Sequence, residues 1–345
     1  MKPDLQDREI SVLNTIVEEY IRSASPLGSR FVAKKSGLNL SPASIRNTMS
    51  DLTEKGFLEQ PHTSAGRIPT ASAFRFYLDK VLQAPALGET EKNLIISYMG
   101  QSGLELTDIL RQTSKLISKF SRQVSMVLAP GVEEAHWRSI DFIHVRTGLV
   151  MAVLVLDGGL IQNRLVEVDE SVTGDDLTKF ANYLNHHFKG MGLTEVRRQV
   201  LNELEKAERR ANHLYNEALK IARDTFSESP ERDFFVEGTL NILDQPEFSD
   251  LKSMRDLLSF LEERSKLLDL LGRSLTEGGV KILLGPETTL ENLKDMGFVT
   301  SPYGGREHST GLVGVIGPLR MDYAKVVPLV DFTAKVLTQM LQKGI

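Results

Sequence analysis

Residues 41–70, SPASIRNTMSDLTEKGFLEQPHTSAGRIPT, constrain the fold more tightly than any other stretch of this chain. Ser41 has the chemistry of a helix N-cap, and Pro42 suits the first helical position, where no amide hydrogen is needed. Ile45, Met49 and Leu52 recur at i, i+4 and i+7, so one face of this helix is apolar and turns inward. Ala43 and Asn47 lie roughly opposite, flanked by Arg46 and Ser50. That outward face is small, polar and singly basic, as a helix entering the DNA major groove requires. It offers little bulk, an amide able to pair bidentately with adenine, and a guanidinium for guanine or phosphate. Lys55-Gly56 stops the helix with a cation and a glycine C-cap. The next residues read as a short β-hairpin. Its tip is His62, Thr63, Ser64, Ala65, Gly66 and Arg67, whose amides, hydroxyls and single Arg suit a phosphate or minor-groove contact.

Two upstream segments complete a motif. Residues 5–21 place Ile10, Leu13, Ile16, Val17 and Tyr20 on one face of an amphipathic helix. Pro26, Leu27 and Gly28 end it; Ser29 is expected to cap a short second helix, RFVAKKS, that closes at Gly37. The order is helix, short helix, recognition helix, hairpin: a winged variant of the helix-turn-helix. A three-helix bundle that meets protein instead of DNA is the competing reading.

Charge separates the two readings locally. The whole chain has 41 Lys+Arg against 46 Asp+Glu, a net charge of -5, which is not that of a uniformly basic nucleic-acid binder. Between Arg22 and Arg75, however, eight cations (Arg22, Arg30, Lys34, Lys35, Arg46, Lys55, Arg67, Arg75) face three carboxylates (Asp51, Glu54, Glu59). A basic head on an acidic body gives an oriented, salt-dependent encounter with DNA.

These residues also carry a resemblance. GSRFVAKKSGLNLSPASIRNTMSDLTEKGFLEQPHTSAGRIPT closely resembles the N-terminal domain of the HrcA family, the heat-inducible transcription repressors of bacteria. TGLVGVIGPLRMDY (310–323) resembles a second signature of that family. One departure stands out: Ala73-Phe74 occupies the place of a common Gly-Tyr pair after the wing.

At 345 residues, two or three domains are expected. With no Cys there are no disulfides, no cysteine zinc sites and no thiol nucleophile, which fits a reducing compartment. No apolar run reaches the ~18 residues of a membrane span. The start, MKPDLQDREI, is too polar and acidic for a signal peptide, so the expected location is cytoplasmic.

Along the chain, QAPALGET (83–90) reads as a linker, and 91–122 as helical. Four β-branched runs follow between 124 and 168, with Gly158-Gly159 as a hairpin signal, then a helix from Asp175 to Phe188. From Thr194 to Thr225 a charged helix carries Val196, Val200, Leu204, Ala211 and Leu214 on a near-heptad seam, expected to hold a second copy. More helix is expected at Phe234–Ile242 and Met254–Leu271. Strand patterns return from Val280, broken by a helix at 287–295, and a helix at 324–342 closes the chain. An α+β pattern is thus interrupted by helix and then resumes. The expected architecture is an α+β multidomain chain: a winged head at 1–82, a linker at 83–90, a discontinuous domain at 91–190 and 276–345, and a mainly helical dimerisation insert at 191–275. The resemblance implies that the discontinuous domain is GAF-like.

Catalytic chemistry is sparse. His186 and His187 are adjacent on a helix and point about 100° apart, too far to share an ion. Asp141 with His144 is equally weak. Glycines at 311, 314 and 317 do not match GxGxxG and read as a closely packed strand. SPYGGREHSTG (301–311) reads as a loop, with an anion cradle as the sharper alternative. Trp137 is expected in a core. No enzyme activity, metal or cofactor is expected.

The reading is a dimeric DNA-binding repressor. Ala43 suits a thymine methyl, Asn47 an adenine edge, and Arg46 guanine or phosphate; Ser29, Ser41, Ser44, Ser50, Thr63, Ser64 and Arg67 are expected along the contact. A two-fold dimer reads an inverted repeat. The resemblance adds the operator, an inverted repeat at chaperone operons, and a dependence on the chaperonin as partner, whose diversion by heat releases repression. A small-molecule regulator acting through the central domain stays open.

Overall fold

The computed structural model describes residues 5–63, 65–82, 85–100, 105–131, 135–157, 160–207, 219, 221–223, 232–242, 245–248, 251–263, 266–268, 270, 272, 278–288, 293–305 and 308–343. It is a mixed α and β structure with antiparallel sheets.

The head comprises α1 (Asp7–Ser23), α2 (Ser29–Lys35), α3 (Pro42–Glu54), the two-residue strands β1 (Leu58–Glu59) and β2 (Ile68–Pro69), and α4 (Ala71–Lys80). The α1 stripe buries Val12, Leu13, Ile16 and Val17 completely; Ile10 and Tyr20 are half-buried at its margins. Ile45 and Leu52 close the core from α3, with Phe74 from α4. Ala73 sits within α4, fully buried and without positive φ, so the departure at this position leaves an ordinary helix.

A body follows. Helices α5 (Glu89–Gly100) and α6 (Leu106–Ser121) lead into β3 (Val124–Leu128). The chain then leaves this sheet for β4 (Trp137–Arg146), β5 (Leu149–Leu156), β6 (Ile161–Glu167), α7 (Gly174–Phe188) and α8 (Leu193–Ala207). It returns through β7 (Phe234–Glu237), α9 (Leu251–Glu262), β8 (Lys281–Leu284), β9 (Met296–Gly305), β10 (His308–Pro318) and α10 (Tyr323–Lys343). The five-stranded sheet has the order β7-β3-β10-β9-β8. Val127, Val299 and Val315 on one face pack with α6 and α10, and Met126, Phe298 and Ile316 on the other pack with Phe260 of α9. Strands β4-β5-β6 form a separate three-stranded sheet whose core is shared with α7 and α8.

Strand pairing divides the chain differently from its hydrophobic pattern. Residues 234–242, expected as helix, are instead strand β7 followed by a 3-10 turn at Thr239–Ile242. Phe234–Glu237 pair antiparallel with Leu128–Ser125, so the free edge of β3 decides the state of a short run that pattern alone leaves ambiguous. Gly238, at φ 82°, turns the chain away. The segment 191–275 therefore contributes a strand to the body sheet. A second apolar core is built from β4–β6 with α7 and α8, and it combines a sheet with helices.

Of the helix expected at 287–295, residues 289–292 lie outside the described residues; Glu287 ends a 3-10 turn that begins at Gly285, and Thr288 and Leu293–Asp295 are not α-helical. The loop expected at 301–311 is the β9–β10 hairpin. Gly311 lacks a side chain where the ring of buried Tyr303 lies, and the Tyr303 hydroxyl donates to the Leu128 carbonyl at 2.9 Å. Gly314 is also closely packed, with Thr300 Cγ2 and the Val299 carbonyl each 2.9 Å from where a Cβ would stand. Trp137 is buried, its indole N–H donating to Asn185 Oδ1 at 3.0 Å. The Gly158-Gly159 signal lies outside the described residues. Among the described residues, no helix is long and apolar enough to cross a membrane, and no group of three or more potential ligands could hold a metal ion.

Candidate nucleic-acid interface

Helix α3 begins at Ser41, whose Oγ accepts from the Ser44 amide at 3.1 Å, with Pro42 in the first turn. It ends at Lys55, and Gly56 follows at φ 78°. Ile45, Thr48, Met49 and Leu52 are buried, while Ala43, Arg46, Asn47 and Ser50 are exposed. The period of α3 thus sorts the side chains as the sequence requires. Ser41 and Ser44 are turned toward each other, with hydroxyl oxygens 3.1 Å apart.

Contacts that spacing does not reveal hold α3 in place. Arg8 of α1 donates to the buried Thr48 hydroxyl through Nε at 2.8 Å, and through Nη2 to the Ser44 carbonyl at 3.4 Å. Lys55 Nζ donates to both oxygens of Glu9, at 2.7 and 2.8 Å. Burial pushes the Glu9 carboxyl up, but the Lys55 ammonium and the Gln6 amide outweigh it and hold its pKa below the ordinary value of 4.5. Four of the eight cations between Arg22 and Arg75 are ion-paired within the chain: Lys55 to Glu9, Arg75 to Glu287, and Arg22 and Lys35 both to Glu19. Arg30, Lys34, Lys35 and Arg46 are exposed.

The ribbon β1–β2 pairs Leu58 with Pro69 and Glu59 with Ile68. Its turn is organised by Gln60, which the sequence did not single out. Gln60 Nε2 donates to the Thr63 and Ala65 carbonyls, both at 2.9 Å. Thr63 is exposed; Ser64 lies outside the described residues. Arg67, expected at the tip, stands at the root. Its backbone exchanges two 2.9 Å hydrogen bonds with Leu27, and its Nε donates to Thr53 Oγ1 at 3.1 Å. Gly66 makes that seam fit, because a Cβ there would run into the Leu27 backbone. Ser29 lies in the first turn of α2 and does not cap it; the cap position is Gly28, without a side-chain bond.

The residues expected to join two copies divide as well. Val196 and Val200 are fully buried in the core that α8 shares with the three-stranded sheet, so their apolar surface is spent within one chain. A 3.6-residue stripe looks alike whether it meets its own sheet or a partner. Leu204 lies in α8, its side chain outside the described set, as are Ala211 and Leu214. His186 and His187 have ring centroids 5.3 Å apart, and His187 Nδ1 sits 2.9 Å from the Tyr183 carbonyl.

Comparison with known proteins gives the family. The family model described as HrcA protein C terminal domain matches residues 107–327. A relative named heat-inducible transcription repressor HrcA, from Nitratidesulfovibrio vulgaris (strain DSM 19637 / Miyazaki F), is 48% identical over 99% of this chain and 97% of its own length. Relatives of the same name from Syntrophobacter fumaroxidans and Geobacter sulfurreducens are 41% and 39% identical, covering 99% and 98% of this chain and 98% and 99% of their own. A crystal structure described as a hypothetical protein at 2.2 Å resolution shares the fold, with a TM-score of 0.66 and 21% identity over 99% of this chain and 100% of its own. On the family model and these full-length relatives, the chain belongs to the HrcA family.

Proposed function

We propose that this chain is a sequence-specific transcriptional repressor that binds an inverted-repeat operator as a dimer. The observation that carries the reading is the outward face of α3. Ala43, Arg46, Asn47 and Ser50 are exposed together, on a helix pinned from behind by Arg8 and Lys55. In this reading the head is a winged helix-turn-helix, α3 enters the major groove, and the β1–β2 ribbon with Thr63 and Ser64 meets the backbone or minor groove. Asn47 reads an adenine edge, Arg46 a guanine or phosphate, and Ala43 a thymine methyl. Ser29, Ser41, Ser44, Ser50 and Arg67 hold register along the duplex. The body sheet with its helices on both faces is the GAF-like domain, and β4–β6 with α7 and α8 are the inserted dimerisation unit.

One head buries only about 600–1,000 Å² on DNA, so a second head is needed for affinity. A surface for a second copy is available on the three-stranded sheet. Its inner face is spent on α7 and α8, while the outer face leaves Ile143, Ile161 and Leu165 at 54%, 66% and 56% exposure. Ile143, Met151 and Leu165 form one cross-strand row and Val155 with Ile161 another; Val153 joins them along β5, between Asp141 and Asn163 on the flanking strands. A contiguous apolar face is what a two-fold, self-complementary interface uses. The relatives' name and the family resemblance supply the biology: control of chaperone operons in the cytoplasm, with the chaperonin maintaining the active repressor and heat withdrawing it.

The test is a salt titration of binding to a chaperone-operon inverted repeat and to a scrambled duplex, with and without chaperonin, for the native chain and for Asn47→Ala and Arg46→Ala. Selective binding by the native chain that both variants erode supports the reading. Equal, weak binding to both duplexes counts against it, and an effect of chaperonin on the active fraction supports the regulatory half.

A further inference from the structure

The head sits on the body, and one polar joint ties it to the sheet edge. Arg75 of α4 donates through Nε to Glu287 Oε1 at 2.7 Å, through Nη2 to Glu287 Oε2, and also through Nη2 to the Ile282 carbonyl at 2.9 Å. Glu287 is itself fixed, because its Oε2 accepts from the Leu284 amide at 2.9 Å. Strand β8 lies at the edge of the five-stranded sheet, so the Ile282 carbonyl that Arg75 takes up is an outward-facing edge group. A planar guanidinium held at both oxygens of one carboxylate and at a backbone carbonyl defines orientation as well as proximity.

The surroundings leave this joint much of the work on its side of the seat. A cleft of about 620 Å³ opens beside it, walled by Leu5, Phe57 and Phe76 of the head and Leu284 and Pro286 of the body. There the apolar walls do not close on each other. Phe74 and Tyr77 of α4 belong to one buried apolar cluster with Met321 and Tyr323 of the body, and Leu5, Phe57 and Leu284 beside the cleft belong to the same cluster. The Tyr323 hydroxyl is buried with no hydrogen-bond partner in the structure, its ring against Gly297. A seat with a cleft along one margin can rock into that cleft unless the margin is tied, and Arg75 and Glu287 line it.

We propose that Arg75 and Glu287 are positioning residues for operator reading: their joint fixes the tilt of the head on the body, and thereby the separation of two heads in a dimer. The proposal rests on the dimeric DNA-binding reading above for its consequence on DNA, but its structural half stands alone. A two-headed binder gains about 10²–10⁴ in avidity only when both heads reach their half-sites together. A head free to rock keeps its affinity for one half-site and loses its preference for a particular half-site spacing.

Two measurements on the full chain test this. The chain has no native cysteine, so Glu54→Cys on the head and Lys294→Cys on the body, both exposed, accept spin labels cleanly. The expected result is a narrow distance distribution in the native background, a broad one in Arg75→Gln and in Glu287→Gln, and narrowing in the swapped pair Arg75→Glu/Glu287→Arg. Equal widths in all four overturn the proposal, whatever the chain does with DNA. The second measurement is affinity for inverted repeats whose spacer changes one base pair at a time, beside a single half-site. Arg75→Gln is expected to lose about tenfold at the preferred spacing while half-site binding is kept, flattening the profile. An unchanged profile, or tighter operator binding in Arg75→Gln, overturns the positioning role. A native chain that prefers no repeat over a scrambled duplex sinks the repressor reading instead, and leaves the distance measurement to decide the joint.

Discussion

Helix α3 and the three-stranded sheet are built alike on the inside and differently on the outside. Each turns a regular apolar stripe inward: Ile45, Met49 and Leu52 on α3, and Val150, Ala152, Leu154 and Leu156 along β5. Outside, α3 presents Ala43, Arg46, Asn47 and Ser50, whereas the sheet presents Ile143, Ile161 and Leu165. The inward stripes secure the fold. In the proposed reading the outward faces differ in what they meet: a polar, negatively charged partner for α3, and another apolar surface for the sheet.

The largest effect is expected where the comparison is broken at the sheet. Ile143→Asp with Leu165→Asp puts two carboxylates on a face more than half exposed, so the fold should persist while self-association fails. Operator affinity is expected to fall by about 10²–10⁴, the avidity of a second head, with a halved mass in sedimentation. A dimer that survives both substitutions places the interface elsewhere. At α3, Asn47→Ala is expected to cost about 1–3 kcal/mol of discrimination between operator and mismatched duplex, with little change in melting temperature, because the side chain is exposed. Full retention of specificity removes Asn47 from base reading.

The Glu9–Lys55 contact behind α3 gives a pH signature. Glu9 has its pKa lowered in the folded head, so the stability it contributes is present above the ordinary value of 4.5 and is lost as pH falls through the lower folded value. Protection of the α3 amides, relative to their intrinsic exchange at each pH, should therefore fall on the acid side of 4.5, and Glu9→Gln should flatten that dependence. An unchanged acid slope in the variant contradicts the assignment. The smallest effect is expected at Lys34, exposed on α2. Lys34→Ala should reduce the salt slope of DNA binding by about one and weaken operator and scrambled duplexes equally. A selective loss on the operator would make Lys34 a base reader.

The comparison also separates what the sequence discloses from what it withholds. The limits and facing of α3 were legible because they are local: Ser41, Pro42 and Gly56 mark the ends, and a 3.6-residue period fixes the buried face. Gln60, Arg8 and the Leu27–Arg67 seam were not, since each depends on contacts that no periodicity encodes. The strand β7 was misread for the same reason, because Phe234–Glu237 become strand through pairing with β3, more than a hundred residues away. Val196 and Val200 were legible as an apolar seam but not as a seam within one chain. The outward face of the sheet escaped notice because alternation marks both faces of a strand as regular, and only the placement of α7 and α8 shows which is left uncovered.

The central claim is that two chains, joined away from DNA, present two α3 helices to one inverted repeat. It is tested most directly by the mass of the complex at saturation, measured by sedimentation of the full chain with a chaperone-operon repeat, a single half-site and a scrambled duplex at one fixed salt concentration. The account predicts two chains per repeat, with affinity well above that for the half-site and the scrambled duplex. One chain per repeat, or equal affinity for all three, would contradict it.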